Sequence, residues 1–441
     1  MIINDDNKNS RQDEKMNEFK GKKLLIIGAT KTECDIVRYA KAAGIYTIVA
    51  DYHEDSPAKK VADKPVLINA LDVDALVDFC KKEKVDGVIT GFVDILLKPY
   101  MEVCKRLGLP CYITEKMLSM STNKVDFKET CNKYNVPVPQ TYLMGSKIDD
   151  DTLQRITYPV FVKPLDGSGS RGAGVCNNEK ELKERFEEAV SYSASGIAII
   201  EDYINGREFL LDYIAVDGEF RLLSIFDRFM ASDRGSAINY STISMSPSKA
   251  VDFYLEEINP IVINMFKSEG FTDGVLFMQG YFNGKNVKFF EMGCRLGGSY
   301  FNHEQACLGY NAMDMIIRFA LTGKMVEDIK TISEKSAKYK KYALDCNYLL
   351  KGYDETVAEI TGMDKVEALP ECIEIQKYHD VGYHYSKDKT VDRPIMVAEI
   401  VADNKDEVTR LVNFINKEYD VFNERGESLL MEKLNPEALF Q

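Results

Sequence analysis

The stretch Phe161-Val-Lys-Pro-Leu-Asp-Gly-Ser-Gly-Ser-Arg-Gly-Ala-Gly-Val175 constrains this chain most, because an apolar strand ending in Lys163 runs straight into a glycine-rich loop. Glycines 167, 169, 172 and 174 permit sharp turns and bring bare N–H groups close to an anion, while Lys163 and Arg171 add positive charge beside them. The loop is a candidate polyphosphate cradle, with Ser168 and Gly169 as its contacts, and ATP is the ligand it fits. A Gly/Ser-rich hairpin with a solvated arginine has the same local composition, so the flanking segments carry the argument.

Upstream, 23–28 reads as an apolar strand, 32–43 as a helix and 46–50 as a strand ending at Asp51, which makes one βαβ unit. A helix over 72–82, a strand over 87–90 and a helix over 95–107 extend it into an open, mostly parallel sheet. The first turn, Gly28-Ala-Thr-Lys-Thr-Glu33, lacks the second and third glycines of a dinucleotide fingerprint. A nicotinamide cofactor is therefore not expected, although Asp51 stands where a ribose-binding acid would. A helix over 123–134 follows, and Val136-Pro-Val-Pro139 breaks the pattern.

From 158 to 292 strands dominate, at 159–163, 172–176, 198–201, 209–216, 222–226, 274–282 and 287–292, with helices at 180–191 and 248–268. That order predicts α+β layers rather than a second doubly wound sheet. Strands at 343–350 and 395–402 with a helix at 405–418 predict a small third domain. The expected division is a disordered tail (1–20), a Rossmann-like domain (21–120), a central domain (121–325), a C-terminal α+β domain (326–435) and a tail or cloning scar (436–441).

Composition excludes some partners. Lys plus Arg number 56 against 70 Asp plus Glu, a net charge of -14 that argues against a general binder of nucleic acid or anionic membrane. Ten cysteines form no CxxC pair and four histidines accompany them, so free thiols in a reducing cytoplasm are expected. No apolar run has the length of a membrane span, and residues 1–20 lack the apolar core of a signal peptide.

Two downstream segments carry chemistry. In Ile199-Ile-Glu-Asp-Tyr-Ile-Asn-Gly-Arg-Glu208 the extended backbone around Asp202 and Ile204 can offer an N–H and a C=O to an adenine edge, and Glu208 can accept from ribose hydroxyls. A solvated acidic strand end reads the same way. In the hairpin 274–295 the turn Asn283-Gly284 allows Gln279 and Glu291 to face each other. Mg²⁺ takes one or two such oxygen ligands from protein and completes its shell with water and phosphate oxygens; Mn²⁺ is an alternative. A cross-strand polar pair on a solvent face, with Arg295 as a surface arginine, is the competing reading. Arg228, Arg234, Gly298 and His303 lie in segments that could border a substrate.

Taken in order, these segments resemble the ATP-grasp superfamily, the fold of biotin carboxylase, carbamoyl phosphate synthetase and D-alanine:D-alanine ligase, over roughly 23–324. The resemblance implies that Lys124, in Ser121-Thr-Asn-Lys-Val-Asp-Phe-Lys128, and Lys163 hold phosphates. It assigns Glu201, Asp202, Ile204 and Glu208 to the adenine and ribose clamp, Gln279 and Glu291 to the metal, and Arg295 to the catalytic arginine. Two positions depart from the family: Gln279 stands where an acid is usual, and Gly293 where an asparagine is usual. The implied activity is ATP-driven activation of a small carboxylate, first of all an amino acid, as an acyl phosphate that an amine then attacks, releasing ADP and phosphate. Phosphorylation of bicarbonate, as in carboxylases and carbamoyl phosphate synthases, and ATP binding by a non-catalytic regulator are the alternatives. A homodimer is the candidate assembly.

Overall fold

The computed structural model describes residues 19–166, 172–232, 239–352, 354–386, 393–433 and 435–441. Ser168, Gly169 and Arg171 of the glycine-rich loop, and Arg234, lie outside them. Of the expected tail only residues 19 and 20 are described, and Phe19 packs against the core beneath the Arg318 guanidinium.

The first sheet is parallel, in the order β3-β2-β1-β4, from β1 (Lys23–Ile27), β2 (Tyr46–Asp51), β3 (Lys64–Leu67) and β4 (Gly87–Ile89). Helices α1 (Glu33–Ala42) and α2 (Val73–Glu83) connect its strands, and α3 (Leu97–Leu107) follows β4. Helix α4 (Lys124–Lys133) starts where Asn123 accepts the N–H groups of Val125 and Asp126, satisfying donors that a helix start leaves open.

A second, antiparallel sheet in the order β5-β8-β6-β7 holds β5 (Thr141–Gly145), β6 (Val160–Pro164), β7 (Gly174–Cys176) and β8 (Ala198–Asp202), covered by α5 (Glu179–Tyr192). Leu182, Phe186 and Ala189 recur at helical spacing on α5 and bury against Val160, Val162 and Ile200.

The central sheet contains β9 (Arg207–Val216), β10 (Glu219–Ser232), β11 (Asn239–Ser246), β12 (Gly274–Phe282), β13 (Val287–Gly293), β14 (Tyr342–Leu349), β15 (Cys372–Lys377) and β16 (Pro394–Ala402). Its order is β13-β12-β9-β10-β11-β14-β16-β15. The C-terminal segment keeps an apolar core of its own, yet its strands extend the central sheet because β14 pairs with the edge of β11. A sheet border at 325/326 is therefore absent among the described residues.

The helix expected over 248–268 is broken. Pro260 has no N–H to give the preceding turn, and a widened turn at Tyr254–Ile258 precedes the regular helix α6 (Asn259–Ser268). After β13 come α7 (Phe301–Leu308) and α8 (Ala312–Thr322). Helix α9 (Lys405–Glu418) is capped by Asn404 and buries Val408, Leu411, Val412 and Ile415 along one face, worth roughly 1.5–3 kcal/mol per side chain. Residues 436–441 are not a loose tail: Leu439 is fully buried, and the Phe440 ring meets Tyr342 edge-on at 5.9 Å. All ten cysteines are unpaired thiols. Among the described residues no helix is long and apolar enough to cross a membrane.

Candidate active site

A cleft of about 1420 Å³ opens between the second sheet and the central sheet, with α4 at one wall. Lys124, Lys163, Glu201, Asp202, Ile204, Glu208, Arg228, Gln279 and Glu291 line it, whereas Arg295, Gly298 and His303 do not.

On the wall formed by the second sheet, Glu201 sits opposite Phe161 of β6 and diagonal to Lys163, a separation that a long side chain spans. Lys163 Nζ lies 2.6 Å from Glu201 Oε1, and Lys128, one helical turn after Lys124, contacts the other oxygen. Glu201 is buried, which alone would raise its carboxyl, but Lys163 and Lys128 together hold it below the ordinary carboxylate range. One lysine suffices to neutralise Glu201, so the second can move to an incoming anion. Lys128 carried no motif of its own; its signal was the i,i+4 spacing from Lys124, which puts both on one helix face. Burial and the neighbouring Lys163 charge lower the Lys124 ammonium, as expected where cations are crowded into a pocket.

The expected adenine edge needs one correction. The Asp202 N–H already donates to the Gln140 carbonyl at 2.9 Å, because β8 pairs there. Its carboxylate is engaged too, by Lys288 and the Tyr142 hydroxyl, both at 2.9 Å. Backbone donors for a base therefore have to come from beyond Asp202, where Tyr203 and Ile204 line the cleft. Glu208 faces Arg228 across β9 and β10 and pairs with it at 2.5 Å, so the Arg228 charge is neutralised locally and is no spare cation.

The register places Gln279 opposite Glu291 on the far wall. Gly280 pairs with Phe289, so Phe290 is an extra residue in β13; this bulge lets Phe290 and Glu291 both line the cleft, which strict alternation forbids. Water reaches Glu291 through the cleft, while the protein packed on its other sides raises its carboxyl; Arg295, Lys124 and Lys163 pull it back down. The departure at Gly293 has a steric cause. A Cβ there would stand 2.0 Å from the Phe277 ring, so no ligating side chain fits beside Glu291 at that position.

Arg295 lies off the cleft lining, four residues after Glu291. Its Nε and Nη2 donate to the two Asp94 oxygens at 2.6 and 2.9 Å, Nη1 donates to the Leu296 carbonyl at 2.8 Å, and the guanidinium sits 4.7 Å above the Phe277 ring. Three of its five N–H groups are thus engaged by the described residues, leaving two uncommitted to them. Asp94 belongs to the N-terminal domain and lines the cleft, so this pair ties the two domains together at the site. Nothing in local sequence links residues this far apart. The next turn is fixed from below: Gly297 N–H donates to Asp212 Oδ1 at 3.2 Å, and a Cβ at 297 would strike Phe277, Asp212 and Leu210 within 2.8 Å. Burial pushes the Asp212 carboxyl up to about 7. At the first βα turn Glu33 accepts the N–H groups of Thr30 and Phe92, at 2.9 and 3.4 Å, and Asp51 accepts from His53 and Ser56.

Against known families, the ATP-grasp domain matches residues 156–300 and the PylC-like N-terminal domain matches residues 24–100. The chain carries an ATP-grasp domain. With that domain it is an ADP-forming ligase that uses ATP. It is similar to the formate-dependent phosphoribosylglycinamide formyltransferase of Sulfurisphaera tokodaii, 26% identical over 334 residues that cover 72% of this chain and 81% of that protein. It is also similar to the carbamoyl-phosphate synthase of Methanobrevibacter smithii, 26% identical over 211 residues, 46% of this chain and 54% of that one. With most other curated relatives the match spans about half of their length. The fold is shared with the L-amino acid ligase from Bacillus licheniformis, with a TM-score of 0.72 at 17% identity over 91% of this chain and 99% of that one.

Proposed function

We propose that the ligase activates a small carboxylate, an amino acid first of all, as an acyl phosphate and joins it to an amine. The observation that carries this reading is the convergence on one cleft of two lysines, Lys124 and Lys163, with two oxygen donors in register, Gln279 and Glu291. Phosphoryl transfer needs little covalent chemistry from a protein; it needs positioning and charge neutralisation, which these groups supply.

The donor set fits Mg²⁺, or Mn²⁺ in its place. Glu291 is hemmed by protein and Gln279 adds a neutral oxygen, so one anionic and one neutral ligand come from the chain and phosphate oxygens would supply more. When bound, the ion supplies neutralisation of phosphate charge. Lys163, released from Glu201 while Lys128 keeps that acid neutral, meets the phosphates together with Lys124. A substrate carboxylate oxygen forms its bond to the γ-phosphorus as the bond to ADP breaks. The amine nitrogen then attacks the acyl carbon, its proton passes to solvent, and phosphate leaves with the oxygen. The two uncommitted N–H groups of Arg295, held in place by Asp94, stabilise the oxyanion of that step, and the Gly297-Gly298 backbone assists.

The test is ADP release measured over a panel of amino acids and other small acids with amines, with products identified by mass spectrometry. An amide product whose formation depends on both partners supports the reading. ADP release that requires bicarbonate alone, or ATP binding with no release across the panel, overturns it.

A further inference from the structure

Outside the cleft, acids stand side by side in the C-terminal part of the central sheet. Asp345 of β14 is directly opposite Glu399 of β16, and Glu399 is directly opposite Glu374 of β15, so three carboxylates form a row across three strands. Like charges directly opposite one another in a sheet repel, and two of these are buried, where repulsion is least screened. Glu374 is answered by Arg38 at 2.5 Å. Asp345 and Glu399 have no lysine or arginine within ion-pair distance among the described residues.

What covers them is α7, which packs on all three strands and presents His303, itself fully buried. His303 Nε2 lies 2.6 Å from Asp345 Oδ1, and its Nδ1 has no hydrogen-bond partner among the described residues. Glu399 Oε1 accepts from Gln376 Nε2 at 2.7 Å; its Oε2 has no partner within hydrogen-bond distance among the described residues, although the Asn302 amide, whose Nδ2 is also unpaired, stands near enough to favour the carboxylate. One ligand atom from each of His303, Asp345 and Glu399 lies within 4.8 Å of the others. An ion held by both His303 and Asp345 would take the place of the proton shared between Nε2 and Oδ1, as metal binding to a histidine and a carboxylate does. A buried carboxylate oxygen left unpaired beside it needs a positive charge.

We infer that His303, Asp345 and Glu399 bind a first-row divalent cation, zinc or manganese, separate from the metal of the ATP cleft. Two carboxylates and a neutral imidazole balance a charge of two, and this N/O set suits those ions. Gln376 orients Glu399 as an outer partner. The ion clasps α7, which follows directly on Arg295 and Gly297, to the C-terminal strands. This site does not depend on which carboxylate and amine the enzyme joins.

The experiment is elemental analysis of tag-free, nucleotide-free full-length protein from zinc- and manganese-supplemented cells, after desalting. About one equivalent of Zn or Mn per chain is expected, retained in Glu291→Gln and lost in Glu399→Gln and His303→Ala. Stripping with dipicolinate should lower Tm by several degrees, and Zn²⁺ should restore it. Should His303→Ala fail to fold, Co²⁺ added to stripped wild-type protein gives a second reading: a stoichiometric visible band supports the site. Less than a tenth of an equivalent of metal, with a Tm indifferent to chelator and no Co²⁺ band, overturns it, as does loss of the metal in Glu291→Gln alone.

Discussion

Glu201 and Glu399 are both buried glutamates on sheet strands, and the protein treats them in opposite ways. Glu201 meets two lysines and its carboxyl is held low; Glu399 meets an amide and a histidine, and burial pushes its carboxyl up to about 7. The first acid faces a cleft, where long cations reach it from α4 and β6 and, on the proposed function, one of them leaves for phosphate. The second is sealed beneath α7, where among the described residues neither lysine nor arginine reaches it. A buried acid answered from within the chain stores a movable positive charge, whereas one left unanswered marks a place for a charge from outside.

The contrast breaks first at Glu201→Gln. Removing that carboxylate leaves Lys128 and Lys163 facing each other in a buried wall, which should cost roughly 3–5 kcal/mol in urea unfolding. Glu399→Gln in metal-stripped protein should change stability by less than about 1 kcal/mol, since it removes an acid that was already poorly accommodated. Equal losses in the two variants would refute the distinction.

A third buried acid sharpens it. Among the described residues Asp212 has no lysine or arginine bonded to it; it accepts from Gly297 N–H and the Ser224 hydroxyl, and its carboxyl is raised from 3.8 to about 7. The folded state therefore holds this proton more tightly than the unfolded chain. Its stabilisation is complete below pH 3.8 and is lost as pH rises through about 7, a decline on the order of a few kcal/mol. Asp212→Asn should flatten the wild-type stability profile across that window. A parallel profile would mean that Asp212 is ionised in the fold.

Lys163→Ala separates storage from stability. Lys128 still answers Glu201, so unfolding should shift by about 1 kcal/mol or less, while substrate-dependent ADP release should fall roughly 100-fold or more. Full turnover in this variant would remove Lys163 from the phosphate site. A further effect is steric: Gly293→Asn drives a side chain into the Phe277 ring and should cost about 1–3 kcal/mol, partly recovered by adding Phe277→Ala. A well-tolerated Gly293→Asn that strengthens Mg²⁺ dependence would show that the ring yields and a third ligand can be accommodated.

Much of the molecule was legible in the chain. The parallel N-terminal sheet follows from apolar runs alternating with helical spacing, and the opposition of Gln279 and Glu291 from a two-residue Asn-Gly turn that fixes hairpin register. The misses share a cause. Strand β11 is rich in serine and threonine and shows no clean apolar alternation, so the edge that recruits β14 was invisible. The bulge at Phe290 defeats period-two reading, and Pro260 splits a helix that periodicity alone would run through. Lys128 has helical spacing as its signal; Asp94 has none, because its partner lies on another domain.

By itself the sequence determined which chemical groups were present and in what order: Lys124 and Lys163 before the acids, a hairpin carrying two oxygen donors, and an arginine after it. Turn chemistry and apolar periodicity act over a few residues, so they are written locally. Only the tertiary structure decided which charge meets which. Lys128 with Glu201, Arg295 with Asp94, and Asp345 beside Glu399 under His303 all depend on strand register and domain contact, which burial of the whole core sets. That is why most residues lining the cleft could be anticipated from the chain, and the buried acid row could not.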